Sequence, residues 1–173
     1  MYEYRFFTTL STKASEIYSE DGKVIGEIEK YYKNVWEMLA DLLLNGRFSG
    51  NYKVVDQNNH ERFHAIRSLN IFKRRHYFIE YETNKATKEF IHLVDKKSFD
   101  VGEVTTFTYS GETFTLKKPF MEKAKIYKNG SAIAEWNSSL KVPFKAYFKL
   151  LDEQYENDKL LLLGLFHTYL HAG

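Results

Sequence analysis

The sequence predicts a mainly β fold with helices: a closed antiparallel β-barrel of about twelve strands around a hydrophobic C-terminal helix. Three observations predict it. Phe and Tyr are abundant and bring the aromatic share to 17%, and aromatic side chains favour the half-buried surface of a sheet. The chain repeats a unit of strand, polar turn and strand, and about twelve strands are too many for one flat open sheet. The segment near the C-terminus is apolar in every direction. A closed sheet around this segment would bury the segment and the inner face of the sheet without exposing a strand edge.

The strand units are hydrophobic or aromatic runs separated by short polar turns. In 107–116 aromatic residues alternate with Thr on the two sides of Ser110-Gly111, which is typical of a hairpin. Asn129-Gly130 is a second strong signal, because both central residues of a type I′ turn need positive φ. The uneven spacing of the units excludes a propeller or a solenoid, whose repeats keep a period. The predicted units are 17–28, 52–66, 77–94, 107–116 and 124–136, with further strands at 4–10 and 144–151.

A first helix is predicted at 35–44. Asn34 is its expected N-cap and Asn45-Gly46 its expected stop. Two apolar stripes run along it, so the helix is either covered on more than one side or presents a face to a partner. The first stripe has helical spacing and consists of Val35, Met38, Leu39, Leu42 and Leu43; the second consists of Trp36, Ala40 and Leu44.

A second helix is predicted from about Asn157 to Leu170. Its four consecutive leucines, 160–163, point in all directions around a helix axis. A helix that is apolar all round is either buried or in a membrane. At ~1.5 Å per residue this one spans only about 20 Å, too short to cross a bilayer. We therefore expect it to be buried by the sheet.

Length and composition indicate one soluble domain covering 1–173. The absence of Cys excludes disulfides and thiolate zinc sites and fits a reducing compartment. Residues 1–5 lack a signal-peptide pattern and no apolar run approaches ~20 residues, so we expect a cytoplasmic location without a transmembrane span. The net charge of +2 is too small to indicate nucleic acid.

One string has the form of a metal site. His60-Glu61-Arg62-Phe63-His64 matches H-E-x-x-H, which on a helix places two His on one face for zinc, with Glu61 as general base. The flanks predict a hairpin instead, and a strand would separate the two His by about 13 Å at ~3.3 Å per residue, too far for one zinc ion. A zinc-dependent hydrolase is therefore the alternative and not the leading hypothesis.

The densest basic cluster is Lys73, Arg74, Arg75 and His76. It could bind anionic lipid headgroups through its positive charge. A solvated turn or a strand edge protected by charge is the alternative interpretation. The sequence contains no G-x-S-x-G, P-loop or G-x-G-x-x-G motif, and no cofactor is predicted.

The serial hairpins and the hydrophobic C-terminal helix together resemble the tubby-like superfamily. This superfamily includes the tubby C-terminal domain, the plant LURP-one-related proteins and the phospholipid scramblases. The resemblance covers about 4–170 and is clearest in IYSEDGKVIGEI at 17–28 and IYKNGSAIAEW at 126–136. It implies a twelve-stranded barrel around a central helix, and the helix at 35–44 lies outside that pattern. None of the superfamily's ligand-binding residues is carried over.

The leading functional hypothesis is a non-enzymatic tubby-like barrel that binds lipid headgroups or a partner protein. It rests on the lack of a catalytic motif, on the basic cluster and on the resemblance, and a fold alone does not fix a function. A peripheral position at the cytoplasmic side of a membrane would fit the lipid form of this hypothesis.

Overall fold

The structure, a computed structural model, describes residues 1–5, 7–46, 48, 50–68, 76–94, 102–139 and 141–171. These residues form twelve β-strands and two α-helices. In chain order they are β1 (Tyr2–Arg5), β2 (Ser15–Ser19), β3 (Val24–Tyr31), α1 (Val35–Leu43), β4 (Asn51–Asp56), β5 (Glu61–Arg67), β6 (His76–Glu82), β7 (Lys88–Val94), β8 (Glu103–Tyr109), β9 (Glu112–Lys118), β10 (Ala124–Lys128), β11 (Ser131–Ser138), β12 (Lys145–Leu150) and, after a 3₁₀ turn at Glu153–Asp158, α2 (Lys159–His171).

The twelve strands form one antiparallel sheet that is nearly closed into a barrel. Its order is β7-β6-β5-β4-β3-β2-β1-β12-β11-β10-β9-β8, so chain neighbours pair almost throughout and β1 joins β12. β7 and β8 stand at the two ends of this order. They meet where the Thr105 hydroxyl donates to the Val94 carbonyl over 2.7 Å.

The helix α2 fills the barrel. Its residues 160–169 are all buried, and leucine, phenylalanine and tyrosine side chains leave it in every direction toward the inner face of the wall. Gly164 allows the closest approach, because a Cβ there would lie 2.9 Å from the ring of the fully buried Phe63. At the far end of α2 the Trp136 indole donates to Tyr4 over 3.0 Å, and the Tyr4 hydroxyl lies 3.1 Å from Nδ1 of His167.

The predicted architecture is confirmed: a mainly β, nearly closed antiparallel barrel of twelve strands with a buried C-terminal helix. The Asn129-Gly130 hairpin also forms as expected, with φ of 49° and 84°. One strand is shorter than predicted. The 4–10 prediction corresponds to β1, which ends at Arg5, and the described residues 7–10 belong to a connection instead.

Across the described ranges, every helix is too short, or insufficiently apolar, to cross a membrane.

Candidate docking surface

The connection between β3 and β4 contains α1, and local signals start and stop it. The Asn34 side chain accepts the Glu37 N–H over 2.9 Å, and the Glu37 carboxylate reaches back to the Lys33 N–H over 2.7 Å. The first bond satisfies an amide group that lacks a partner within the first turn, and the second ties the residue before the N-cap to the helix. At the other end Asn45 and Gly46 adopt φ of 53° and 79°, a left-handed conformation that ends the helix.

The orientation of α1 is opposite to that of an ordinary surface helix. Its only two charged residues, Glu37 and Asp41, are buried. Its apolar residues are the exposed ones: 79% of Trp36 and 82% of Leu43 remain accessible to solvent. The exposed apolar set is Val35, Trp36, Met38, Leu39, Leu42 and Leu43, continued by Leu44. We call it the α1 face.

Asp41 is the main anchor of the inner side of α1. Its Oδ2 accepts Lys30 Nζ over 2.5 Å and the Tyr32 hydroxyl over 2.8 Å, and its Oδ1 accepts the Phe48 N–H over 2.8 Å. Lys30 is buried as well and donates to the Thr9 carbonyl over 2.6 Å. Burial lowers the pKa of Lys30, and the attraction of Asp41 partly opposes that shift. An ion pair this deeply buried stabilises the helix only as an intact pair.

Glu37 is the second anchor and links α1 to the barrel wall. Its Oε1 accepts the Asn51 amide over 2.7 Å, and the Asn51 carbonyl oxygen accepts the Arg67 N–H over 3.1 Å. Asn51 is fully buried at the start of β4. One side chain therefore connects the charged side of α1 to the end of β5.

The two anchors fix which side of α1 faces the solvent. If the helix rotated to bury its leucines, two carboxylates would leave their partners and Lys30 would stay buried without its counter-charge. The α1 face is consequently displayed by the fold, and it contains no charged side chain. Burying one large apolar side chain contributes about 1.5–3 kcal/mol, so this surface favours an apolar or interfacial environment.

The predicted basic cluster falls only partly within the described residues. Lys73, Arg74 and Arg75 lie outside them. His76 begins β6, and its Nδ1 lies 3.1 Å from Nε2 of His92 on the outer wall. Burial and the neighbouring His76 lower the pKa of His92. The base of the connection is closed by Ser68, whose N–H donates to the His76 carbonyl over 2.9 Å.

The H-E-x-x-H string forms a turn and a strand, as the hairpin interpretation predicts. His60 precedes β5, and its Nε2 lies 3.2 Å from a carboxylate oxygen of Glu82. His64 lies within β5, where Nδ1 is 3.1 Å from Glu61 and Nε2 contacts the hydroxyl of Tyr31. The helix that a zinc hydrolase of this type needs is not formed. In the described part of the chain no group of three or more His, Cys, Asp or Glu could hold a metal ion.

Sequence reasoning identified α1 but did not determine its orientation. The sequence does contain a signal for this orientation. Seven of the nine residues of α1 are apolar, whereas the two acidic residues stand one turn apart on a single narrow side of the helix. An apolar surface that wide cannot be covered by one contact with a sheet. The partners of the acids, Lys30 and Asn51, lie in other elements, so the pattern of the helix alone could not assign its inner side.

The fold defines a class of protein: a barrel scaffold with a central helix, which here also carries a separate surface helix. A family model described as Tubby C-terminal like domain matches residues 2–172. The chain therefore belongs to the Tubby C-terminal like domain family, which confirms the predicted resemblance. No curated protein and no solved structure matches the chain significantly.

Proposed function

We propose that the chain is a non-enzymatic binding module that attaches to anionic lipid surfaces, with the α1 face as the part that enters the interface. One observation carries the proposal: α1 is fixed through its charged side and displays its apolar side. Amphipathic helices that bind membranes place Trp and Leu at the boundary between headgroups and acyl chains. Here the protein itself covers the polar side of the helix.

The basic cluster supplies the electrostatic part of the proposal. Asn51 bridges α1 to Arg67, the last residue of the strand that precedes the Lys73–Arg75 stretch. In the chain these cations follow Arg67 by six to eight residues, outside the described part of the structure. Basic residues near an anionic bilayer each contribute about 1 kcal/mol, and salt screens that attraction. A peripheral location at a membrane follows from the proposal.

Vesicle sedimentation tests it. We expect binding to phosphatidylcholine vesicles that contain phosphatidylglycerol, and weaker binding at high salt. Trp36→Ser/Leu43→Ser should lower the partition coefficient by at least about tenfold, because two large side chains no longer leave water. Phe90→Ser is the matched control, since Phe90 is also exposed but lies on the barrel wall in β7.

Arg74→Glu/Arg75→Glu tests the electrostatic part separately and should abolish the salt-sensitive component of binding. If the wild-type chain ignores anionic vesicles even at low salt, the lipid proposal is wrong. The protein-binding form of the hypothesis would then take its place, with the α1 face as the surface to examine. Equal losses in the Phe90→Ser control and the α1 variant would show that the partitioning is not specific to α1.

A further inference from the structure

We infer that the end of the barrel that carries α1 faces the bilayer, and that two further apolar tips among its described connections enter the interface beside it. The tips are Phe120-Met121 between β9 and β10, and Val142 with Phe144 between β11 and β12. The inference rests on the proposed function for its ligand, a bilayer surface, and adds the orientation of the molecule and a second set of contact residues.

The topology brings these segments to one end. In an antiparallel sheet every second connection lies on the same side, so β1–β2, β3–β4, β9–β10 and β11–β12 share an end. We call these four connections the α1 rim. The strand ends beside them stand next to one another in register: Arg5 opposite Lys145, Tyr31 opposite Asn51, Lys117 opposite Lys125 and Ser138 opposite Ala146.

The apolar side chains at the tips of the α1 rim do not pack into the hydrophobic core. Phe120 is 87% exposed, Met121 91% and Val142 81%, although each is a residue type that normally lies inside. Phe144 and Leu10 at the same rim are exposed as well. Single exposed hydrophobic residues need no explanation, but their recurrence in four connections that neighbour one another around the barrel marks an interaction surface.

The opposite rim has a different composition. Its turns, at 20–23, 57–60, 83–87, 110–111 and 129–130, consist almost entirely of polar residues and glycine. The segment 151–158 adds Asp152, Glu153, Glu156 and Asp158. Its exposed large hydrophobic residues, in the described part of the chain, are Met1, Val24 and Leu151, and all three are less exposed than Phe120, Met121 and Val142 of the α1 rim.

The charges of the two rims complement an anionic bilayer. Lys13, Lys33 and Lys141 lie in the α1 rim and form no ion pair with any described acidic residue. The only exposed carboxylate among the described residues of that rim is Glu122. A negative surface therefore attracts the α1 rim and repels the acidic opposite rim, which orients the barrel before any apolar residue inserts.

The distribution also favours a bilayer over a protein partner. The apolar residues are spread over four connections around a ring of strands and are separated by cations. A bilayer accepts such scattered tips without shape complementarity, whereas a protein interface needs a packed central core. One end of the barrel would then lie on the membrane with the acidic rim directed away from it.

The absence of cysteine allows a direct test, because one label can be attached at any chosen site. An environment-sensitive fluorophore is placed at Met121→Cys, at Val142→Cys and, as the control on the opposite rim, at Gln57→Cys. With anionic vesicles we expect a blue shift and quenching by brominated lipid at the first two sites, and no change at the third. The Trp36 emission serves as an internal reference, because the other tryptophan, Trp136, is only 3% exposed.

Binding by unlabelled variants gives the second measurement. Phe120→Ser/Met121→Ser and Val142→Ser/Phe144→Ser should each lower partitioning by at least about tenfold, with unchanged thermal unfolding because these side chains are exposed. Failure of the wild-type chain to bind vesicles would overturn the proposed function itself. Binding that depends on Trp36 but not on these four residues would overturn only the inference. A wild-type dimer that the same substitutions dissociate would identify the α1 rim as an interface between copies and would also overturn it.

Discussion

The anchor of α1 gives a quantitative prediction. In Asp41→Asn the shape of the side chain is kept and its charge is lost. Asp41 accepts three hydrogen bonds, from Lys30, Tyr32 and Phe48. Asparagine offers one acceptor oxygen in their place and points its NH₂ group at a donor. The ammonium group of Lys30 then remains buried without a counter-charge.

The expected loss of unfolding free energy is about 3 to 5 kcal/mol, the usual cost of removing one partner of a buried ion pair. An upper limit follows from the alternative open to the variant, which is to release the Lys30 proton. From a usual pKa of about 10.5, deprotonation at pH 7 costs about 5 kcal/mol, at ~1.36 kcal/mol per pH unit. The part of the loss that comes from the unpaired charge of Lys30 should therefore not exceed that figure.

Urea unfolding monitored by circular dichroism measures this loss. With a slope of about 2 kcal/mol per molar urea, the midpoint should fall by roughly 2 M. The matched control is Glu80→Gln, which removes an ion pair of the same 2.5 Å length with Lys88 on the exposed wall. It should cost no more than about 1 kcal/mol, because water screens that pair.

The pH dependence of the same variant has a definite sign. Burial holds the folded-state pKa of Lys30 below its unfolded value. At pH values between the folded and the unfolded pKa of Lys30, the unfolded state binds more protons than the folded state, so the free energy of unfolding rises with pH. The stability contributed by Lys30 is therefore complete above its unfolded pKa and is lost as the pH falls through its folded pKa. Without Asp41 the folded pKa falls further, so the deficit of Asp41→Asn should shrink as the pH is raised from about 7 toward 10. A deficit under about 1 kcal/mol, or one that does not shrink, would refute the buried ionic anchor.

Three further predictions concern the barrel. Leu162→Asp, or truncation after Asp158, should give insoluble or unfolded protein because the sheet loses its core; a truncated chain that is soluble, monomeric and cooperatively folded would contradict the central-helix architecture. Purified protein should contain no stoichiometric zinc, and elemental analysis that finds about one zinc per chain, lost in His64→Ala, would reverse this prediction. Burial raises the pKa of Asp158, although the Tyr109 hydroxyl donates to it over 2.8 Å. The difference in unfolding free energy between the wild type and Asp158→Asn should therefore be most in favour of the wild type at acid pH and should fall as the pH rises through that raised pKa. If urea unfolding shows a difference that does not change across this pH range, the burial of the carboxyl is contradicted.

The sequence determined the features whose cause is local. Asn129-Gly130 could be assigned to a hairpin because few residue pairs adopt positive φ at two consecutive positions. The C-terminal helix could be placed in the interior because the run at 160–163 leaves no side of it suited to water. The local strand pattern also gave the correct conformation for the string from His60 to His64, although that string matches a helical zinc motif.

The tertiary structure decided everything that depends on residues distant in the chain. The side of α1 that faces inward is set by Lys30 and Asn51, which lie in strands before and after the helix. The gathering of Phe120 and Val142 at the rim that carries α1 follows from the order of twelve strands and from the pairing of β1 with β12. A hydrophobic pattern shows how much apolar surface a segment has. Whether that surface is buried or displayed depends on where the partners of its polar groups are placed, because a buried charge without a partner costs more free energy than an exposed leucine.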